Sequence, residues 1–493
     1  MRRDAARRLV ALVLAALFFT ACERLGETLA PGDAGSTGYT PAWELPPPPA
    51  PDATVVQPGA LRRTTLDNGL HILVLEDHRL PRVVLGISVR RGAASVERGQ
   101  AGLASFTAEL MQRGAGKRDA LALAEAVDEI GASLNVSAGW DSITVGVSGL
   151  TRDLDRLAQV LADVTLRPRF EEKEASKVRA EQLARLRQAQ DDPGTLVQWH
   201  VARVLYPAHR YGQPLSGAPE SVGKLAADSA RAFHESVFLP NNAILFASGD
   251  LSTADWLRRA SRLFDPGDWR PGEIPPPAPP PAKRTPESRR LVVVDRPDLE
   301  QAHIVIAHEG IHRAHPKRLA VDLMNKVLGG SGFSSRLMTR LRADQGLTYG
   351  VWSGFSLRRH PGPFRVSTST RVAETRRALD LALDELEGIR TRPPIEEELS
   401  KAASYSVGRF GLGLETSAAV MASLVDLDVY HLPEDSLDTY RSRIRAVDTQ
   451  AVAEAARERL DPPRAAIVIL GPAEAIVPQL DGLGTPEIVK PSF

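Results

Sequence analysis

His308, Glu309 and His312 stand in the order H-E-x-x-H. On a helix, that spacing puts two imidazoles one turn apart on one face, where they can grip a zinc ion. The glutamate is then placed as general base toward a metal-bound water. The neighbourhood does not supply the helix. Residues 302–307, AHIVIA, are apolar and read as a strand; Gly310 interrupts the motif and Pro316 follows. The next glutamate after His312 is Glu374, so a nearby third acidic ligand is missing. The expectation is a polar loop between a strand and a helix. A second candidate is the pair Glu174 and Glu181, seven residues apart in EEKEASKVRAEQLARLRQ. Charges recur there at helical spacing, which reads as a solvated helix face with ion pairs along it.

The elements around these residues repeat. The strand HILVLED (71–77) follows the turn signal Asn68-Gly69 and is succeeded by the strand RVVLGISVRRGA (82–93). Then comes the amphipathic, glycine-ended helix GLASFTAELMQRGAG (102–116). The second half runs RRLVVVDRP, AHIVIAHEG and the helix KRLAVDLMNKVLGG (317–330). AILFASGDL (243–251) closes the first half and AAIVILGPA (465–473) the second. Helical stretches lie between, at 120–130, 171–190 and 376–389. The order predicts an α+β chain of two homologous domains, each a mostly antiparallel sheet covered by helices. Their expected bounds are 61–270 and 288–493, joined by a proline-rich linker at 271–287 that cannot form a packed core.

The start of the chain reads as a targeting segment. Arg2, Arg3, Arg7 and Arg8 precede the apolar run Leu9 to Phe19, and Thr20-Ala21 precede Cys22, the one cysteine of 493 residues. Residues 1–22 resemble a bacterial lipoprotein signal, with Cys22 lipidated; a plain signal peptide with an incidental cysteine is the alternative. Glu23 in place of an aspartate favours the outer membrane. Residues 23–60 form a Pro/Gly-rich tether. This predicts a protein held in the bacterial envelope by its lipid and facing the periplasm. A single cysteine excludes an internal disulfide and a cysteine-rich zinc site. With 61 basic and 61 acidic residues, nothing points to nucleic acid as a partner.

LDNGLHILV, GQAGLASFTAELMQRGAG, EIGASLN, YPAHRYGQPLSGAPESV, LPNNAILFASGDL and LGGSGFSSRLMTRLRADQGLTYGV follow one another in this chain. In these segments the sequence resembles the insulinase (pitrilysin-like) metallopeptidases, including the mitochondrial processing peptidases. Active members carry an inverted motif, H-x-x-E-H, on the helix after the central strand. Its three positions are occupied here by Ser105, Ala108 and Glu109, and the family's third ligand position by Glu181. Ser105 is a poor zinc ligand and Ala108 cannot take a proton, so the resemblance implies a chain without its own metal.

The family's distal domain supplies an arginine and a tyrosine, seven residues apart, that contact substrate. Arg342 and Tyr349 have that spacing. In the family a substrate peptide adds as a strand to a sheet edge, matched here by Leu134, Asn135 and Val136 within GASLNVS. The resemblance therefore implies a substrate-binding subunit that binds peptide or unfolded polypeptide, without cofactor of its own. Zinc is expected in a partner subunit of the same family. A structural scaffold of this fold, or a peptidase with a rearranged metal site, are the alternatives.

Overall fold

The computed structural model describes residues 54–57, 59–265, 267–277, 279–281 and 289–492. Cys22, the apolar run before it, and part of the proline-rich linker lie outside them.

Two six-stranded sheets organise the described chain. The first contains β1 (Leu61–Thr65), β2 (His71–Glu76), β3 (Arg82–Val89), β4 (Ser133–Ala138), β5 (Ile143–Leu150) and β6 (Ala243–Gly249). Their order is β1-β2-β6-β3-β5-β4. The second contains β7 (Arg290–Asp295), β8 (Gln301–Glu309), β9 (Val351–Leu357), β10 (Pro361–Arg371), β11 (Ala466–Gly471) and β12 (Glu487–Val489), in the order β9-β10-β8-β11-β7-β12. Read from the opposite edge, the second order repeats the first. β2 pairs with β6 in parallel and β7 with β11 in parallel, while β3 and β8 each lie antiparallel to both neighbours. The duplication expected from the order of elements is thus present in the strand topology. β4 and β9 are corresponding edges.

Helices from the first half are α1 (Leu103–Leu110), α2 (Ala120–Asp128), α3 (Leu154–Leu166), α4 (Glu172–Asp191), α5 (Pro193–Leu205), α6 (Ala227–Val237) and α7 (Thr253–Phe264). Those from the second are α8 (Arg318–Asn325), α9 (Thr375–Thr391), α10 (Glu396–Leu412), α11 (Ser417–Val429) and α12 (Thr449–Arg459).

β2 shows why the central strands are apolar throughout. Successive strand side chains point to opposite faces. Ile72 and Val74 enter a core with Phe106 and Leu110 of α1, Leu157 and Leu161 of α3, and Trp256 of α7. Leu73 and Leu75 enter a different core on the other face, with Ile244 and Phe246 of β6. What covers that second face is α11, through Val420, Met421, Leu424 and Val425, from the other half of the chain. The second sheet has the mirror arrangement. Val292 and Val294 of β7, Val305 of β8, and Val468 and Leu470 of β11 are covered by Leu196, Val197 and Val201 of α5, from the first half. Each half lends one helix to close the other's sheet.

Polar contacts fix the register of this exchange. Arg90 donates to Asp428 Oδ1 from Nε at 3.0 Å and from Nη2 at 2.5 Å. Tyr430 Oη and the Arg359 backbone N–H both donate to Asp141 Oδ2, at 3.0 and 2.9 Å. The Arg358 guanidinium lies 4.2 Å from the centre of the Trp140 ring and 4.3 Å from that of Tyr211. The proline-rich segment is pinned along the first half. Pro275 O accepts from Arg91 Nε at 2.8 Å, and Gly272 O from Asn241 Nδ2 at 2.9 Å.

Because α5 is core to a sheet it does not belong to, truncating it should unfold both halves together. Leu196 is fully buried. Leu196→Ala is expected to cost about 3 kcal/mol, the usual loss for a buried leucine, in one cooperative denaturant transition. A two-step transition in which only one half is weakened would show that the exchange does not couple them.

Candidate functional site

α1 begins on a backbone only glycine tolerates. Gly102 has φ +96°, and a Cβ there would come within 2.6 Å of Ser216 O and 2.9 Å of Gln182 Nε2. Gln182, on α4, donates to Ser216 O at 2.7 Å and Gly102 O at 3.2 Å, tying the start of α1 to α4 and to the loop at 214–217. Phe106, Leu110 and Met111 are fully buried. The face of α1 left over is the one bearing Ser105, Ala108 and Glu109.

That face has been rebuilt with arginines. Glu109 accepts from Arg185 Nη2 on both carboxylate oxygens, at 2.5 and 2.6 Å. Glu181 accepts from Arg113 Nη2 at 2.8 Å. Positions 109 and 113 thus face 185 and 181, so α1 and α4 run antiparallel here and are joined by two reciprocal ion pairs. Ser105 Oγ donates to Leu215 O at 3.4 Å, and Ala108 is buried. A zinc ion needs deprotonated donors free to converge on one point. Here one position has no donor atom and both carboxylates are held by guanidinium groups, so the donor set does not fit zinc. Among the described residues, no group of three His, Cys, Asp or Glu could hold a metal ion.

The ion-pair pattern corrects one expectation. Glu181 pairs with Arg113 in the turn that follows α1, not along its own helix. Glu174 is buried, not solvated, and accepts from Lys177 Nζ at 2.7 Å. Opposite charges four residues apart in both segments (109 and 113, 181 and 185) were the visible signal. Sequence reasoning missed Arg113 and Arg185 because the same spacing also suits pairing within one helix.

Leu134, Asn135 and Val136 lie on β4, which among the described residues pairs with β5 alone and has no strand on its other edge. Gln112 Nε2 donates to Val136 O at 3.4 Å and to Ala108 O at 3.3 Å, placing this edge beside α1. H-E-x-x-H behaves as expected of a strand end. His308 and Glu309 are the last residues of β8, and Gly310 to His312 are loop, so the two histidines do not share a helix face.

Arg342 and Tyr349 are brought together in the second half. Arg342 sits in a π-helical turn, Thr339–Asp344, and a second such turn, Lys326–Gly330, precedes it. Turns of this kind are frequent at functional sites. Between them runs the glycine-containing loop, with Gly332 at φ +72°. The Arg342 guanidinium lies 4.7 Å from the Tyr349 ring centre and 4.6 Å from that of Phe333. Tyr349 is 87% exposed and Phe333 73%. The segment that carries Tyr349 is nonetheless fixed. Thr370 Oγ1 donates to Leu347 O at 2.7 Å, Thr368 Oγ1 to Gly350 O at 3.0 Å, and Leu347 and Thr348, just before Tyr349, are buried. The loop is anchored at Arg336, whose Nε and Nη2 reach the two oxygens of Glu398 at 2.7 Å each.

Fold and site together define a duplicated α+β architecture whose α1 face carries no usable set of metal ligands. Comparison with known proteins agrees. Residues 71–219 match the insulinase (peptidase family M16) profile, and residues 224–405 match that of the peptidase M16 inactive domain. An uncharacterized zinc protease of Streptomyces coelicolor is 27% identical over 84% of this chain and 90% of its own. One from Bacillus subtilis is 22% identical over 81% and 95%. The crystal structure of a peptidase M16 inactive domain from Pseudomonas fluorescens superposes with a TM-score of 0.77 at 25% identity, covering 84% of this chain and 98% of that one. A protease from Helicobacter pylori shares the fold, with a TM-score of 0.75 at 18% identity over 84% and 99%. The chain belongs to the insulinase family, peptidase family M16, as a homologue lacking the zinc motif.

Restoring that motif alone should not restore metal. In Ser105→His/Ala108→Glu/Glu109→His, Arg113 still occupies Glu181, and Arg185 becomes an unpaired cation beside the metal position. That variant is expected to stay metal-free after dialysis, whereas adding Arg113→Ala and Arg185→Ala should give about one zinc per chain. Elemental analysis decides it, and stoichiometric zinc in the three-residue variant would show that the arginines do not block the site.

Proposed function

We propose that this chain is the non-catalytic, substrate-binding member of a peptidase complex of its family, with the zinc in a second, metal-bearing subunit. The observation that carries the reading is a contrast within one molecule. The face of α1 is closed by arginine pairs, while half-buried Arg342 and exposed Tyr349 stay together on a fixed backbone. Relatives named as zinc proteases and a structural neighbour titled an inactive domain are both accommodated by a chain that works beside a metal-bearing relative.

In this reading an extended peptide adds to the open edge of β4 at Leu134, Asn135 and Val136. Its backbone supplies most of the pairing, so sequence selectivity there is low. Arg342 holds an acceptor group of the peptide, and the Tyr349 hydroxyl donates to the oxyanion that develops at the partner's metal. The proposal also has acyl chains on Cys22 hold the protein to the outer membrane, facing the periplasm, where several chains anchor more firmly than one.

With the zinc-bearing subunit copurified from the native membrane, Tyr349→Phe is expected to lower peptide turnover about a hundredfold, the usual cost of one oxyanion donor, with binding changed less. Size-exclusion chromatography checks that the complex persists. Unchanged hydrolysis by an intact complex, for both Tyr349→Phe and Arg342→Ala, would leave this chain a scaffold. For the anchor, Cys22→Ser should accumulate as precursor or leave the membrane fraction. Normal processing and fractionation of that variant would make Cys22 incidental.

A further inference from the structure

Three arginines follow the glycine-containing loop within seven residues: Arg336, Arg340 and Arg342. Arg336 is bound bidentately by Glu398, and Arg340 lies 3.9 Å from Glu385. Arg342 has no carboxylate within ion-pair distance among the described residues, and its side chain forms no hydrogen bond there. Its neighbours are two aromatic rings, Phe333 and Tyr349, both exposed far beyond what a soluble surface needs of large aromatics. Contact with ring faces engages the positive charge of a guanidinium and leaves its N–H fork unused. That fork matches one chemical group best, a carboxylate, which can accept two parallel N–H bonds.

The surroundings supply what such a site requires. Arg342 is half-buried in a π-helical turn whose end is closed by Leu347 N–H donating to Leu341 O at 3.0 Å and Gly346 N–H donating to Arg342 O at 3.0 Å. Tyr349 is fixed through its flanking threonines, as described above. Phe333 comes from the loop, whose turn is closed by Ser335 Oγ donating to Gly332 O at 2.7 Å. The two rings thus arrive from separate segments and meet at one charge. Among the described residues neither ring is part of a buried core.

We propose that Phe333, Arg342 and Tyr349 form a carboxylate-binding site for peptides, with Phe333 as the positioning residue that holds the guanidinium against Tyr349. The proposal rests on the reading that this face meets peptide, and it adds the class of peptide: one bearing a carboxylate at this point, either a C-terminal α-carboxylate or an aspartate or glutamate side chain. Phe333 sets the orientation of the fork and does not itself hydrogen-bond the ligand.

The test uses the full chain alone, without partner or zinc, so that it stands apart from hydrolysis by any complex. Three hexapeptides of otherwise identical sequence, carrying an uncharged fluorophore without a carboxylate, are compared by anisotropy: a free C-terminus, a C-terminal amide, and the amide with one internal aspartate. At least one carboxylate peptide should bind about tenfold more tightly than the plain amide, and which one identifies the source of the carboxylate. Arg342→Gln should erase the difference. Phe333→Leu should reduce it about fivefold, and Phe333→Tyr should restore it. Equal binding of all three peptides, or no measurable binding of any, overturns the site. An equal loss for acid and amide in Phe333→Leu reduces Phe333 to an apolar contact and overturns its positioning role. Loss of hydrolysis in a reconstituted complex with this carboxylate preference absent would separate the two readings, because the function could then hold without the site.

Discussion

Each sheet of this protein has one face that its own half cannot cover. The structure depends on the way that need is met, by α11 lying on the first sheet and α5 on the second. Burying a leucine- or valine-sized side chain stabilises by roughly 1.5–3 kcal/mol, and more than a dozen such side chains meet in the two exchanged cores. No polar contact at the interface competes with that sum. The polar groups decide orientation instead. Asp428 shows how: burial disfavours its charge, and the Arg90 guanidinium hydrogen-bonded to it, with the His71 ring 3.6 Å away, outweighs that, holding the carboxyl below its usual range. A charged, paired Asp428 on α11 admits one seating against Arg90 at the end of β3.

The same magnitudes explain how the metal helix can be present without its metal. In a metal site the ion would cross-link α1 to α4. Two ion pairs now do so, Glu109 with Arg185 and Glu181 with Arg113, all four side chains at least a third exposed. Pairs this exposed contribute about 0–1 kcal/mol each, far less than a structural zinc. α1 holds its place because Phe106, Leu110 and Met111 are buried beneath it and Gln182 fastens its first turn. The ion pairs close a surface whose position the core already determines.

How much of this was readable in advance depends on the range of the interaction. Strands such as HILVLE are specified by local periodicity and appear where the pattern puts them; the helix expected over 102–116 starts there but ends at Leu110, before a turn and a short strand at Gly114–Ala115. The duplication was legible in the order of elements, and Arg342 with Tyr349 through family spacing. The exchange of α5 and α11 was not, because an apolar helix face does not say which sheet it will meet. The ladder on α1 was hidden for a related reason: charges four apart satisfy either a neighbour on the same helix or one across a groove. Phe333 gave no periodic signal at all, since it lies in a loop whose shape is set by Gly332 and by hydrogen bonds to loop carbonyls. The helix exchange and the ion pairs were long-range, whereas Phe333 was missed because local loop geometry leaves no periodic pattern.

The corner between α4 and α5 is short. α4 ends at Asp191, α5 begins at Pro193, and Asp192 between them caps the new helix by accepting from Thr195 N–H at 2.7 Å. In those few residues the chain leaves one half for the other. The order of synthesis gives this corner its consequence. Leu196, Val197 and Val201 leave the ribosome early, but the strands they cover include β11, at Ala466–Gly471, close to the end of the chain. For most of translation that apolar stripe has no native partner, and the outer face of the first sheet likewise waits for α11. Each half made as a separate polypeptide would leave one sheet face and one apolar helix stripe without the partners they have here.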